Sequence, residues 1–157
     1  MLDWIGGVIE FYDDGVLVRV VPVRQGYAGT YIPLYRPGLH RLSARSRDSG
    51  CFPPTISNGV DVHVGLFRAS LRLESRPNPS YQGQTVVLTA TIDPALATGT
   101  MQFQDLTAAR DLGTAALVNG VATLACSFAT SGAHTIQSTY SGDSSYVPAA
   151  SQITQTV

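Results

Sequence analysis

The chain has 157 residues, of which 44% are hydrophobic and only 13% charged, with a formal net charge of −1. This balance excludes a molecule-wide field that would attract nucleic acid or an anionic membrane, and no apolar run is long enough to insert into a bilayer as a helix. The length holds one all-β domain, or up to two small ones.

The first half is built of short apolar runs cut by glycine and proline. Residues 8–12, Val-Ile-Glu-Phe-Tyr, form the first expected strand, and Asp13-Asp14-Gly15 a turn. A second run covers residues 16–23 and a third residues 26–34, before the Pro37-Gly38 turn. Residues 39–44 alternate, placing His40, Leu42 and Ala44 on one face. A polar loop over residues 45–54 separates them from residues 59–64, where Val60, Val62 and Val64 share a face and His63 points the other way. Runs this short and this punctuated argue against core helices.

Residues 68–80 form a junction, with Leu71 and Leu73 alternating along the first strand of a new unit. Residues 85–92, rich in Val and Thr, predict a strong strand whose buried face is Val86, Leu88, Ala90 and Ile92. Met101 and Phe103 mark the inner side of the next. Residues 105–117 are expected to be a polar connection with a short edge strand over 112–117. Residues 120–128 follow as a strand entered by the Asn119-Gly120 turn. His134, Ile136, Ser138 and Tyr140 mark one face of another, and Ile153 and Val157 the inward side of the last. Met101, Phe103, Leu124, Ile136 and Tyr140 complete the expected core.

The two halves match. Gly7, Phe11, Gly26, Ala28, Gly38, His40 and Ala44 align in order with Gly99, Phe103, Gly120, Ala122, Gly132, His134 and Ser138, and Val64 then meets Val157 to within a residue. Nothing in the first half matches residues 70–92, so the first copy lacks its first two strands.

The second copy also carries a string of motifs. These are Asn78-Pro79-Ser80, Gly83-Gln84, Val86-Val87-Leu88-Thr89-Ala90-Thr91 and Gly99-Thr100-Met101-Gln102-Phe103. They continue as Asn119-Gly120-Val121-Ala122-Thr123-Leu124, Gly132-Ala133-His134-Thr135-Ile136 and Tyr140-Ser141-Gly142-Asp143-Ser144-Ser145-Tyr146. Residues 71–157 thereby resemble the bacterial immunoglobulin-like repeats of large surface and secreted proteins; Met101 departs from the usual valine without changing the reading. Residues 5–64 resemble the family more weakly, with Arg45-Ser46-Arg47-Asp48-Ser49-Gly50 in place of the Tyr-Ser-Gly-Asp element. The resemblance implies an all-β chain of tandem immunoglobulin-like β-sandwiches: residues 1–67 a partial repeat and residues 68–157 a complete domain. It implies a spacer or adhesive stalk in an extracellular or cell-surface protein whose export signal lies outside this chain.

Catalysis needs a nucleophile, a base and a group that orients them. His40 and His134 hold equivalent places after a Gly-x turn, which suits a histidine packed beneath the turn and bonded to a loop carbonyl. No Gly-x-Ser-x-Gly or His-Glu-x-x-His motif is present. Asp143 is placed to accept turn N–H groups; Asp105, Asp111 and Asp143 could hold calcium only if their loops meet at one end of the fold. Cys51 and Cys126 fall at unmatched places in the repeat and read as free thiols. Arg41, Arg45 and Arg47 cluster without interleaved stacking aromatics, which reads as a solvated strand end rather than a nucleic-acid site. Trp4, Tyr12, Tyr27, Tyr31 and Tyr35 offer a sugar-stacking face as the alternative to core packing.

The sequence therefore predicts a non-enzymatic module with no catalytic, cofactor-binding or metal-binding residues. Its expected partners are neighbouring immunoglobulin-like repeats, with a surface glycan or protein as the alternative, and neither nucleic acid nor membrane insertion. The missing strands should leave residues 26–34 with unpaired backbone groups, to be relieved by upstream residues that complete the sheet in the parent protein, by a strand-pairing dimer through residues 1–67, or by loose packing of the first half in the isolated chain.

Overall fold

The computed structural model describes residues 7–47 and 53–157. The chain divides into two compact units, Met1–Gly65 and Leu66–Val157. Trp4 and Cys51 lie outside the described residues.

The second unit is a β-sandwich. One sheet has three strands in the order β5-β6-β9, namely β5 (Ser70–Arg76), β6 (Thr85–Asp93) and β9 (Val121–Ser127). The facing sheet has four, in the order β11-β10-β7-β8: β7 (Thr100–Asp105), β8 (Arg110–Ala116), β10 (Ala133–Tyr140) and β11 (Ala149–Thr156). All pairings are antiparallel. Strict period-two alternation makes one face of each central strand apolar, and the sheets close on those faces. Val86, Leu88, Ala90 and Ile92 of β6 are buried against Met101, Phe103, Ile136 and Tyr140. Leu124, Ile153 and Val157 are half-buried at the margin of that core. β8 is longer than the sequence suggested. Its Asp-Leu-Gly-Thr-Ala-Ala stretch lacks a clean apolar period, yet it pairs with β7 along its length around a bulge between Phe103 and Gln104. Only residues 106–109 remain as connection.

The described residues of the first unit form one four-stranded antiparallel sheet in the order β2-β1-β3-β4, made of β1 (Val8–Asp13), β2 (Val16–Pro22), β3 (Gly38–Ser46) and β4 (Val60–Val64). This is the order β8-β7-β10-β11 with each strand replaced by its counterpart. The register agrees to the residue. Phe11 faces Ala44 as Phe103 faces Ser138, and His40 faces Val62 as His134 faces Gln155. The β1–β2 ladder carries its bulge directly after Phe11, where β7–β8 carries one after Phe103. Gly38 and Gly132 enter their strands at φ of 123° and 121°, a backbone shape that a side chain rarely adopts. Gly38 and Gly132 are thus backbone requirements at equivalent places of the repeat.

Residues 26–34 do not form the strand that the alternation suggested. The turn at their start does form: Arg24 bridges Tyr27 around Gln25-Gly26 as Val118 bridges Val121 around Asn119-Gly120, with φ of 52° and 80° against 51° and 76°. Beyond that bridge no ladder follows among the described residues, which include no counterpart of β6 in the first unit. The consequence for packing is direct. Among the described residues of the first unit only Glu10, Asp13 and His40 are buried, and all are polar; Ile9, Phe11, Leu42, Ala44, Val62 and Val64 are half-buried.

Candidate functional site

The densest polar constellation sits in the same place in both units, where the strand after the Gly-x turn meets the end of its central neighbour. In the second unit β10 carries His134 and β7 ends in Asp105. His134 Nδ1 lies 2.6 Å from Asp105 Oδ2, and Nε2 lies 3.0 Å from the main-chain oxygen of Thr130. Asp105 Oδ1 accepts the N–H groups of Thr107 and Ala108, at 3.0 and 3.1 Å, and so also shapes the turn into β8. Phe128 stacks obliquely on the imidazole with ring centres 4.9 Å apart. Both Asp105 and His134 are buried.

The first unit repeats this arrangement. His40 Nδ1 lies 2.8 and 2.9 Å from the two carboxylate oxygens of Asp13, and Nε2 lies 2.8 Å from the carbonyl of Arg36, again four residues earlier. A carboxylate and a carbonyl can only accept, so the imidazole is asked to donate from both nitrogens. That raises the pKa of His40, through the Arg36 carbonyl first and then through Asp13. Asp14 N bonds the Arg41 carbonyl at 3.0 Å as Leu106 N bonds that of Thr135 at 2.8 Å. Asp14 Oδ1 takes Arg41 N, a part that Thr107 Oγ1 plays for Thr135 N in the second unit.

Three carboxyl and imidazole groups, Asp13, Asp14 and His40, have ligand atoms within 4.8 Å of one another, the spacing a cation would need. Each of the three side chains already has a hydrogen-bond partner. Both nitrogens of His40 and both oxygens of Asp13 are in the pin just described, and Asp14 caps a main-chain N–H. The second unit keeps the Asp–His pair while Leu106 stands at the place of Asp14, so the metal-like triplet is local and the pin is what repeats. Catalysis fares no better. Thr130 Oγ1 lies 3.3 Å from His134 Nε2, which resembles a nucleophile on a dyad. Arg36 holds that position in the first unit, so the carbonyl repeats and the hydroxyl does not. The pair is a structural clasp between strand and turn.

The other residues singled out from the sequence scatter. Asp143 accepts Thr98 N and Thr98 Oγ1 through one oxygen, at 2.9 and 3.0 Å, and Ser145 N and Tyr146 N through the other, at 2.7 and 2.9 Å. Those N–H groups, that of Thr98 first, hold its carboxyl well below the usual carboxylate range. Burial, then the Asp143 carboxylate, pushes the Tyr140 hydroxyl up to about 12. Because β7 and β10 are antiparallel, Asp143 sits where β7 begins and Asp105 where it ends, and Asp111 spends Oδ1 on Gly113 N. The three aspartates named as a calcium set therefore do not converge.

Arg41 pairs with Asp61 at 2.8 Å, and Arg47 with Glu10 at 2.5 Å. Two of the three clustered arginines are thus neutralised locally. Tyr12 donates to Glu10 at 2.8 Å, and that bond, ahead of Arg47, lowers the Glu10 pKa. Tyr27, Tyr31 and Tyr35 are 73%, 80% and 80% exposed. His63 is exposed, and Cys126 is half-buried in β9, where burial raises its thiol pKa. The partners Asp13 and Asp105 escaped the sequence reading, which took the first as a turn residue and the second as a calcium candidate. Their common offset, Phe-x-Asp from Phe11 and from Phe103, carried the signal.

No curated protein sequence matches. Among solved structures, the fibronectin(III)-like modules of Clostridium thermocellum CbhA are similar at 16% identity and a TM-score of 0.46, over 96% of this chain and 77% of that one. The amphioxus IgVJ-C2 molecule is similar at 15% identity and a TM-score of 0.49, over 97% and 89%. The model of the family described as bacterial Ig-like domain (group 3) matches residues 73–157, more than half of the sequence. The chain belongs to the bacterial Ig-like domain family.

Proposed function

We propose that the chain is a spacer segment of an extracellular or cell-surface repeat protein, with residues 1–67 a partial repeat, residues 68–157 a complete one, and neighbouring immunoglobulin-like repeats as its partners. The observation that supports this best is the clasp. Two copies keep the same sheet order, the same bulge, the same turn and the same Asp–His pin, while their exposed loops differ. What is repeated is scaffold; repetition of scaffold supplies reach without chemistry. A glycan array and a pull-down against cell-surface protein, both with the full chain, test the reading. Absence of saturable binding is expected.

A carbohydrate-binding reading has one observation in its favour, the three exposed tyrosines spaced four residues apart at 27, 31 and 35. Apolar ring faces of that kind stack on sugars. Saturable micromolar binding that is lost in Tyr31→Ala and Tyr35→Ala would replace the spacer reading with this one.

A further inference from the structure

Residues 27–35 occupy the sequence place of β9. With Gly26 on Gly120 and Gly38 on Gly132 the two segments have equal length, and the alternation carries over. Ala28, Ile32 and Leu34 fall at the places of Ala122, Cys126 and Phe128 and are half-buried, while Tyr27, Tyr31 and Tyr35 point out. A strand-like pattern has therefore been kept without a ladder. After the Arg24–Tyr27 bridge, residues 28–35 make no backbone-to-backbone hydrogen bond with any other described residue. A cavity of about 340 Å³, lined by Asp13, Val18, Arg19, Tyr31, Ile32 and Pro33, separates the segment from the sheet beside it. The sheet face that carries Asp13 also carries Ile9, Phe11 and Leu42, all half-buried.

The second unit shows what completes such a surface. β6 pairs antiparallel with β9 from Thr91↔Val121 to Thr85↔Ser127, and Val86, Leu88, Ala90 and Ile92 cover Phe103 and Ile136, the counterparts of Phe11 and Leu42. β5 then pairs with β6 and adds Leu73. We propose that residues 27–32 and the sheet face beside them form a strand-acceptor groove. Its occupant is an antiparallel strand pair of the β5–β6 type from another immunoglobulin-like repeat. Pro33 has no N–H and ends the ladder. Strand addition of this kind draws on main-chain hydrogen bonds for affinity and on alternate side chains for specificity.

The alternatives fit less. Edge-to-edge pairing of two copies through residues 27–32 would satisfy backbone groups but leave Ile9, Phe11 and Leu42 uncovered. The chain's own β5–β6 pair already supplies the core of the second unit, where Leu73, Val86, Leu88 and Ile92 are at most 4% exposed. The inference is independent of the spacer reading, since a stalk and a sugar-binding module would both present this edge.

The test adds a synthetic peptide with the sequence of residues 68–94 to the isotope-labelled full chain and follows amide exchange. Binding should saturate and slow the amides of residues 28–32 by about tenfold or more, while those of β9 stay as protected as before. A peptide carrying Leu88→Asp and Ala90→Asp should have no effect. Because a free peptide can aggregate, a second arm copies residues 68–98 ahead of Gly7 by fusion, and the same amides should slow in a monomer. No slowing in the soluble fusion overturns the proposal. So does slow exchange of residues 28–32 in the free monomeric chain. Protection that appears only with rising chain concentration assigns the groove to a second copy, and loss of protection in β9 shows a swap into the second unit; either outcome also overturns it.

Discussion

The clasp between Asp105 and His134 makes a clear energetic prediction because both side chains are buried. Replacing His134 with alanine leaves the buried Asp105 carboxylate without its imidazole partner, and removal of one member of a buried pair costs about 3–5 kcal/mol. The lower end applies, since Asp105 Oδ1 keeps its two N–H donors. Urea unfolding followed through the second unit should show a loss of about 3 kcal/mol, and no loss would mean that the pin is ornamental. In the first unit the same pin is visible through titration. The Arg36 carbonyl first, and then the Asp13 carboxylate, hold the His40 pKa above the ordinary value of about 6.5. A raised folded pKa contributes stability that is complete below the unfolded value and is lost as pH rises through the folded one. NMR titration of the His40 imidazole should give a midpoint above that ordinary value, and Asp13→Asn should bring it down. A midpoint at or below about 6.5 would contradict the double-donor assignment.

Strands carry their own liabilities. Among the described residues β2 pairs only with β1, which leaves its other edge open there, and Val16, Leu17, Val18 and Val20 along it are 66%, 46%, 41% and 42% exposed. An apolar open edge is a template for a second chain. Leu17 and Val20 lie across from Tyr12 and Glu10 on the face away from Phe11, so lysine there costs no inward packing. Leu17→Lys with Val20→Lys should lower the association seen by sedimentation as concentration rises; unchanged association would acquit this edge. The equivalent β8 carries Arg110 and Asp111 instead, as an open edge normally does. Most strands were legible in the sequence because period two survives wherever one face is buried: β6 buries Val86, Leu88, Ala90 and Ile92 and turns Val87, Thr89 and Thr91 the other way. β8 was under-read because an edge strand has little apolar face to betray it. Residues 26–34 were over-read for the opposite reason. Their alternation is real, but a ladder also needs a neighbour, and the missing neighbour is a non-local fact. The histidines of the clasp were found through the repeat. Their aspartates were not, because each sits at a turn where an acidic residue already has a local explanation.

At the scale of the whole chain the two units divide the core unequally. Every apolar side chain that is fully buried among the described residues lies in the second unit, from Leu73 to Tyr140. Burial of that kind gives cooperativity; a sheet with one half-covered face opens locally at low cost. Phe67 belongs with the second unit, since its N–H bonds the Ser145 carbonyl at 2.8 Å, its carbonyl accepts Val147 N at 2.9 Å, and its ring stacks obliquely on Tyr146. A fragment of residues 66–157 should therefore fold alone, with a calorimetric unfolding enthalpy of about 60 kcal/mol near 60 °C by the usual per-residue scaling. The full chain should show the same transition with nearly the same enthalpy. If the first unit melted as a cooperative domain it would add about 40 kcal/mol, either in the same peak or in a second one. Observation of that extra enthalpy in a monomeric sample would mean that the first sheet has found cover within its own chain. Its appearance only when residues 68–98 are fused ahead of Gly7 would instead show that the sheet lacks nothing except the two strands its repeat leaves out.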